Sequence, residues 1–452
     1  MTTPAAAGVA FATLTSVTLA LPQADRFGPQ AVLDDAAEGA QSVFAADLDG
    51  DGDLDVLRAS IGGTATVAWY ENDGSGLFGA AHPITNSEFT LGVFAADLDG
   101  DEDLDVLVAS VLGNSISWFE NDGHGNFGSG QFITFGGAAV SAADLDGDGD
   151  ADVVSASGSD VGWHANDGFG HFGPRQSVDG SIESVWGLEI TDLDGDGHLD
   201  VLFASSWEHL VAWCQGDGTG SFAPRRLLND DAYEARSVAT ADLDGDDDLD
   251  VLSASSGDGK LAWYENLGGG AFASERLLST SGTSPWSVVA ADLDQDGDQD
   301  VLSAWFGAGQ ILWHRNLGGA VFGPSQLVSA LTDGAQDVLA ADLDGDGDAD
   351  VLSASRADDK VAAYDNRTSE IDCDGNGILD VCEIAVAPQL DWDGDGVLDV
   401  CAPPSPEFCA GNPNALGLPG RIELSGSPVI SMDIDRKSTR LNSSHANISY
   451  AV

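Results

Sequence analysis

"DLDGDGDLDVL", residues 47–57, decides how this chain is read. Close copies begin at Asp97, Asp144, Asp192, Asp242, Asp292 and Asp342, at successive spacings of 50, 47, 48, 50, 50 and 50 residues. A chain of 452 residues would ordinarily suggest two or three domains, but a regular period of this length marks a repeat architecture. Each unit runs through four phases. In the first they are "SVFAADL", the acidic stretch, "DVLRAS", then "VAWYEND", and finally "GSGLFGAAHPIT". Short apolar or alternating runs separated by Gly/Asp/Asn turns read as four antiparallel strands, and no phase has a helical period.

Seven such sheets predict an all-β, seven-bladed β-propeller. The phases also predict how the ring closes. An "F-G" or "F-A" pair opens the fourth strand at Phe27, Phe78, Phe127, Phe172, Phe222, Phe272 and Phe322, so one fourth strand precedes the first acidic stretch and none follows the last. The N-terminal strand is therefore expected to complete the last blade, removing two open sheet edges. The tryptophan recurring at Trp69, Trp118, Trp163, Trp213, Trp263 and Trp313, with Ala363 in the last unit, reads as blade-to-blade packing. The "LDV" tripeptides look like an adhesion motif, but their Asp falls on a loop ligand position and their Val starts a strand.

In "DLDGDGDLD" carboxylates stand at positions one, three, five and nine, glycine at position six, and a backbone carbonyl is available at position seven. Alternate residues of a tight loop turn their oxygens inward, and hard Ca²⁺ takes six to eight oxygen ligands. Without a cation, four or five carboxylates in nine residues repel one another. The pattern is the front half of an EF-hand loop without its flanking helices or terminal Glu.

These loops and their spacing resemble the FG-GAP/VCBS-type repeats of integrin α-subunit propellers and of bacterial secreted proteins. The resemblance covers residues 27–366. It implies calcium ligands at Asp47, Asp49, Asp51 and Asp55, with Asp53 giving its backbone oxygen. The matching positions are Asp97, Asp99, Asp101, Asp103 and Asp105, then Asp144, Asp146, Asp148, Asp150 and Asp152. The fourth loop supplies Asp192, Asp194, Asp196, His198 and Asp200, and the fifth Asp242, Asp244, Asp246, Asp248 and Asp250. Asp292, Asp294, Asp296, Asp298 and Asp300 follow, and last Asp342, Asp344, Asp346, Asp348 and Asp350. Glu102 and Asp247 stand where glycine is expected, and a left-handed non-Gly residue costs on the order of 1 kcal/mol, so these two sites are the weakest. Beyond the repeats, "DCDGNGILDVC" and "DWDGDGVLDVC" place Asp372, Asp374, Asn376, Asp380 and Asp391, Asp393, Asp395, Asp399 at the same spacing. With cysteine beside each loop, they resemble thrombospondin type 3 repeats, in which metal and disulfides replace a core.

The domain expectation is a propeller over 25–368, two calcium loops over 369–402, and a linker with the start of a β-domain over 403–434. Residues 1–24 read as a secretory signal, although no Lys or Arg precedes Arg26. "DRKSTRLNSSH" matches the in-frame translation of a common short-read sequencing adapter, so 435–452 are set outside the fold reading and the natural chain is expected to continue past Ile434. Cys373, Cys382, Cys401 and Cys409 allow three disulfide pairings, and Cys214 stands alone inside a repeat.

Asp and Glu number 76 against 16 Lys and Arg, a net charge of −60 that repels nucleic acid and anionic membranes. A hydrophobic content of 43% excludes a disordered acidic tail. No stretch after residue 25 approaches the ~20 apolar residues of a membrane span. HExxH, P-loop, GxSxG and dinucleotide motifs are all absent. The expectation is an extracellular, monomeric, non-catalytic binding or adhesion module for a glycan or surface protein, with a polysaccharide lyase-like enzyme as the alternative. In a four-stranded meander the acidic loops share one face, and the 2–3 hairpins and blade-to-blade connections share the other. Six residues before each acidic loop, on that second face, stand Gln41, Leu91, Ala138, Trp186, Arg236, Trp286 and Gln336. Trp207, Trp305 and Phe306 add aromatics in the hairpins of blades four and six, with Glu208 and His209 alongside. Because indoles stack on sugar rings, Trp186, Trp207, Glu208, His209, Arg236, Trp286, Trp305 and Phe306 form the candidate ligand patch.

Overall fold

The structure is a computed structural model describing residues 26–367 except Thr64, Glu88, Gly158, Ser281 and Gly282. The expected signal segment, the loops from Asp372 to Asp399, their four cysteines and the C-terminal stretch lie outside the described residues. Twenty-eight strands, from β1 (Ala31–Asp34) to β28 (Lys360–Tyr364), form seven four-stranded antiparallel sheets, with no helix among the described residues. In the first blade β2 (Ala40–Ala46), β3 (Asp55–Ser60), β4 (Val67–Tyr70) and β5 (His82–Thr85) pair in sequence order, and the acidic stretch is the β2–β3 turn.

The first strands of the blades are neighbours around a central channel: β2, β6 (Thr90–Ala96), β10 (Ala139–Ala143), β14 (Val185–Thr191), β18 (Ala235–Ala241), β22 (Pro285–Ala291) and β26 (Ala335–Ala341). The ring closes as the sequence phases require. β1 pairs antiparallel with β28, placing Ala31 opposite Ala363, and Phe27 bridges Asn366 while meeting Trp313 edge to face at 6.0 Å. Burial follows radius. All six residues of β3 are buried because adjacent blades cover both faces, whereas outermost β5 starts with two exposed residues. This is why the second strands read as near-continuous apolar and small-residue runs.

Two recurrent devices fix blade to blade. Four of the repeated tryptophans, Trp69, Trp118, Trp163 and Trp213, lie under a glycine of the next blade's Asn/Gly turn: a Cβ on Gly125 would stand 2.2 Å from Trp69, and one on Gly220 would stand 2.2 Å from Trp163. At those four places the turn is also left-handed, so glycine answers both demands, whereas Ala320 (φ 54°) takes the matching place in blade six. The turn's asparagine then reaches across the seam. Asn121 Nδ2 donates to the Leu48 carbonyl of the preceding acidic loop at 2.8 Å, and Asn72 does the same to Leu343 at 2.6 Å across the closing seam. Blade four has Gly216 instead of asparagine, where a Cβ would stand 2.2 Å from the Leu199 carbonyl oxygen.

Candidate functional site

The acidic loops are organised by their own amides. Asp47 Oδ1 accepts the Gly50 N–H at 2.8 Å and its Oδ2 accepts that of Gly52 at 3.1 Å. Asp55, at position nine, is buried and takes the Leu48 and Asn72 N–H groups, both at 2.9 Å. This holds the two ends of the loop against one another. Burial pushes the Asp55 carboxyl up to about 7, against the pull of those two amides, and the neighbouring Asp49 and Asp51 charges add to the rise. Its equivalents Asp105, Asp200, Asp250, Asp300 and Asp350 also stand at about 7 and Asp152 at about 6, burial being the first cause in each. The position-three carboxyls Asp49, Asp99, Asp146, Asp194, Asp244 and Asp344 are raised too, by burial first and by neighbouring carboxylates. Such loops are short of positive charge.

One observation tests whether the residues present suit a cation. Asp99, Asp146, Asp194 and Asp244 each turn a buried Oδ1 inward that has no hydrogen-bond partner. In the first, third and fourth loops one oxygen each from positions one, three and nine lie within 4.8 Å of one another. An all-oxygen, multiply anionic cluster with an unsatisfied inward oxygen fits a hard divalent cation. Asp47, Asp49 and Asp55 would hold it in the first loop, and it would supply the missing counter-charge.

Three loops bear backbone strain. Glu102 (φ 76°) and Asp247 (φ 70°) take the left-handed position the sequence flags, and in those loops positions one, three and five cluster instead: Asp97, Asp99, Asp101 and Asp242, Asp244, Asp246. Gln295 (φ 58°) is a third departure, at position four of the sixth loop, which a scan of position six alone passes over.

The opposite mouth of the channel breaks the sevenfold pattern. All seven residues picked out six places before the loops line the channel. The Arg236 guanidinium lies 4.5 Å from the Trp186 ring and 4.4 Å from the Trp286 ring, a cation sandwiched between two indoles. Its Nε donates to Ser256 Oγ at 3.2 Å, and Glu234 stands 3.9 Å away. Burial pulls its pKa below the usual arginine value, with Glu234 opposing the shift and Arg356 adding to it. Phe306 continues the stack, 4.5 Å from Trp286 at 21°.

Beside the stack is a cleft lined by Ser184, Ser206, Trp207, His209, Tyr233 and Glu234, with Trp186 and Arg236 as its inner wall. Trp207 is 69% exposed. His209 packs on Tyr233 at 4.2 Å, and its Nδ1 accepts the Glu234 N–H at 3.0 Å, leaving the ring proton on Nε2. Two expectations change. Trp305 is not in the patch: it is the last residue of β23 (Asp300–Trp305), fully buried, with its indole N–H donated to Ser303 Oγ at 2.9 Å. The chain turns outward one residue later, at Phe306. Glu208 is committed elsewhere, accepting the Glu183 N–H at 3.1 Å and pairing with Arg225 at 3.3 Å. Tyr233 was missed; its signal was an aromatic in the connection entering the strand that carries Arg236.

The FG-GAP-like repeat family model matches residues 47–108, 97–155, 144–203, 192–253, 242–303 and 296–353, and the chain belongs to this family. No curated protein matches it. Among solved structures, BBS1N in complex with ARL6DN is similar at 10% identity and TM-score 0.53, over 76% of this chain and 97% of that one. Virginiamycin B lyase from Staphylococcus aureus gives 12% and 0.51 over 74% and 98%. A lectin from Agrocybe aegerita that recognises non-reducing terminal N-acetylglucosamine gives 21% and 0.49 over 65% and 81%. At these identities the likeness is one of fold.

Proposed function

We propose that this chain is a non-catalytic binding propeller of the secreted or cell-surface kind. Ca²⁺ in its acidic loops stabilises the ring, and a glycan docks at the channel mouth opposite them. The observation that carries this reading is the Trp186–Arg236–Trp286 stack, continued by Phe306 and opening onto the Trp207–His209–Tyr233 cleft. Uniform blade packing does not call for these aromatics, since the same ring positions elsewhere hold Gln41, Leu91, Ala138 and Gln336. Indole and phenol faces suit the C–H faces of sugars, while the His209 Nε2–H and the Ser206 hydroxyl suit ring hydroxyls.

Binding is favoured over catalysis by how the polar groups are used. His209 spends Nδ1 on the Glu234 amide and Glu208 is paired with Arg225, so neither stands as a free base in the cleft. A glycan array probed with the full chain tests the reading. Trp186→Ala and Trp207→Ala are each expected to weaken capture by about tenfold, the loss of one stacking contact of ~1.4 kcal/mol, with the melting temperature little changed. Undiminished capture by both variants would remove this site. Turnover of a polysaccharide, lost on changing His209 or Arg236, would favour the enzyme.

A further inference from the structure

The sixth acidic loop differs from the other six in having an arginine inside it. Arg315 Nε makes a direct salt bridge to Asp294 Oδ2, and its Nη2 reaches Asp296 Oδ2 at 3.1 Å. Asp294 and Asp296 are positions three and five, whose oxygens face the cation site in this type of loop. The Asp294 side chain is 1% exposed, so the carboxylate end of this ion pair lies inside the loop, while the Arg315 side chain, 37% exposed, reaches it from the surface. Arg315 follows the repeated tryptophan by two residues. The same place holds Glu71, Glu120, Ala165, Gln215, Glu265 and Asp365 in the other blades, so the cation is unique to blade six and four blades carry an acid there.

A second feature of this loop points the same way. Gln295 replaces the position-four glycine, and its side-chain amide donates to the Gly347 carbonyl of the seventh loop at 2.9 Å. The sixth loop is thus tied to its neighbour by a direct hydrogen bond.

We infer that the sixth loop takes no divalent cation, because the Arg315 guanidinium supplies its counter-charge from within the chain. A metal ion seated between Asp294 and Asp296 would have to displace Arg315 from both carboxylates and then lie beside its fixed positive charge. A guanidinium keeps its proton at any ordinary pH and cannot yield the site by neutralising. Blade six, which carries Trp286 and Phe306, is therefore the blade whose acidic turn holds its shape without calcium.

The inference rests on calcium filling the other loops, and the experiment separates the two. Calcium bound per full-length chain is counted at saturation by equilibrium dialysis with atomic emission. Arg315→Gln opens the sixth loop and is expected to bind one ion more than the natural sequence; Arg315→Lys, which keeps the charge, is expected to match it. Glu71→Arg transplants the guanidinium to the first loop and is expected to bind one ion fewer, which keeps the test decisive if Arg315→Gln does not fold. Equal, non-zero counts in all variants overturn the inference alone. An absence of bound calcium in every variant overturns the calcium reading and this inference with it.

Discussion

Removing calcium should loosen the whole ring, and the size of the effect can be worked from the loops. With Arg315 closing one, six loops remain to be filled. At free calcium about a hundredfold above its dissociation constant, each filled site adds ~2.7 kcal/mol by mass action, so six add roughly 16 kcal/mol. A ring of roughly 340 residues has an unfolding entropy of about 0.7 kcal/mol/K at ~2.1 cal/mol/K per residue, so chelation should lower the melting temperature by about 20 °C. Scanning calorimetry of the full chain in calcium and in chelator, at matched ionic strength, measures the shift directly. Limited proteolysis in chelator should cut first in the acidic turns, which are on the surface. A melting temperature that moves by less than about 3 °C would refute the reasoning, because the buried inward oxygens of Asp99, Asp146, Asp194 and Asp244 would then be satisfied without a cation.

Three further outcomes follow from particular contacts. Deleting residues 27–33 removes three of the four residues of β1 and the Phe27–Trp313 contact and leaves β28 as an open edge, so size-exclusion chromatography should show dimers or aggregates; a monomer of natural stability would count against the closure. Gly220→Ala places a Cβ 2.2 Å from Trp163 at a left-handed φ of 75°, and should cost about 2–4 kcal/mol in denaturant unfolding. Burial pushes the Glu189 carboxyl on the channel strand β14 up to about 8, although Thr240 donates to it at 2.6 Å. The folded state then holds a proton the unfolded chain has released, so this group's contribution is full below about 4.5 and is lost as pH rises to about 8; Glu189→Gln should flatten that decline in a pH series of melting curves.

The fold was legible because propeller blades repeat their demands. The offset of one "F-G" phase relative to the acidic loops already contained the β1–β28 closure, and the single missing tryptophan, Ala363, matches a blade-one turn in which a Cβ on Gly76 would meet Asp344 Cβ at 3.2 Å instead of an indole. What was not legible depended on one residue of register or on a contact across a hairpin. Trp305 and Phe306 are adjacent aromatics, yet the last strand position is core and the first turn position is mouth. Arg315 reads in sequence as an ordinary charge after a strand. Only the pairing of the second and third strands puts it beside positions three and five of an acidic loop fifteen or more residues earlier.

Sevenfold repetition also gives a criterion for which departures matter. A residue needed for closing or packing the ring should recur, so one that appears once is released from that duty, but release alone does not make a site. Cys214 and Gly216 are as unusual in their blade as Arg236 is in its ring. Cys214 is fully buried, with its thiol pushed up to about 12 by that burial, and Gly216 has the Leu199 carbonyl against it. Both are local repacking of blade four. At the channel mouth, by contrast, departures from three blades converge: Arg236 touches both Trp186 and Trp286, Phe306 extends the stack, and exposed Trp207 and Tyr233 flank the adjoining cleft. These substitutions stand on blades that share no strand pairing and still meet in one place, and that convergence is the ground for proposing a ligand there.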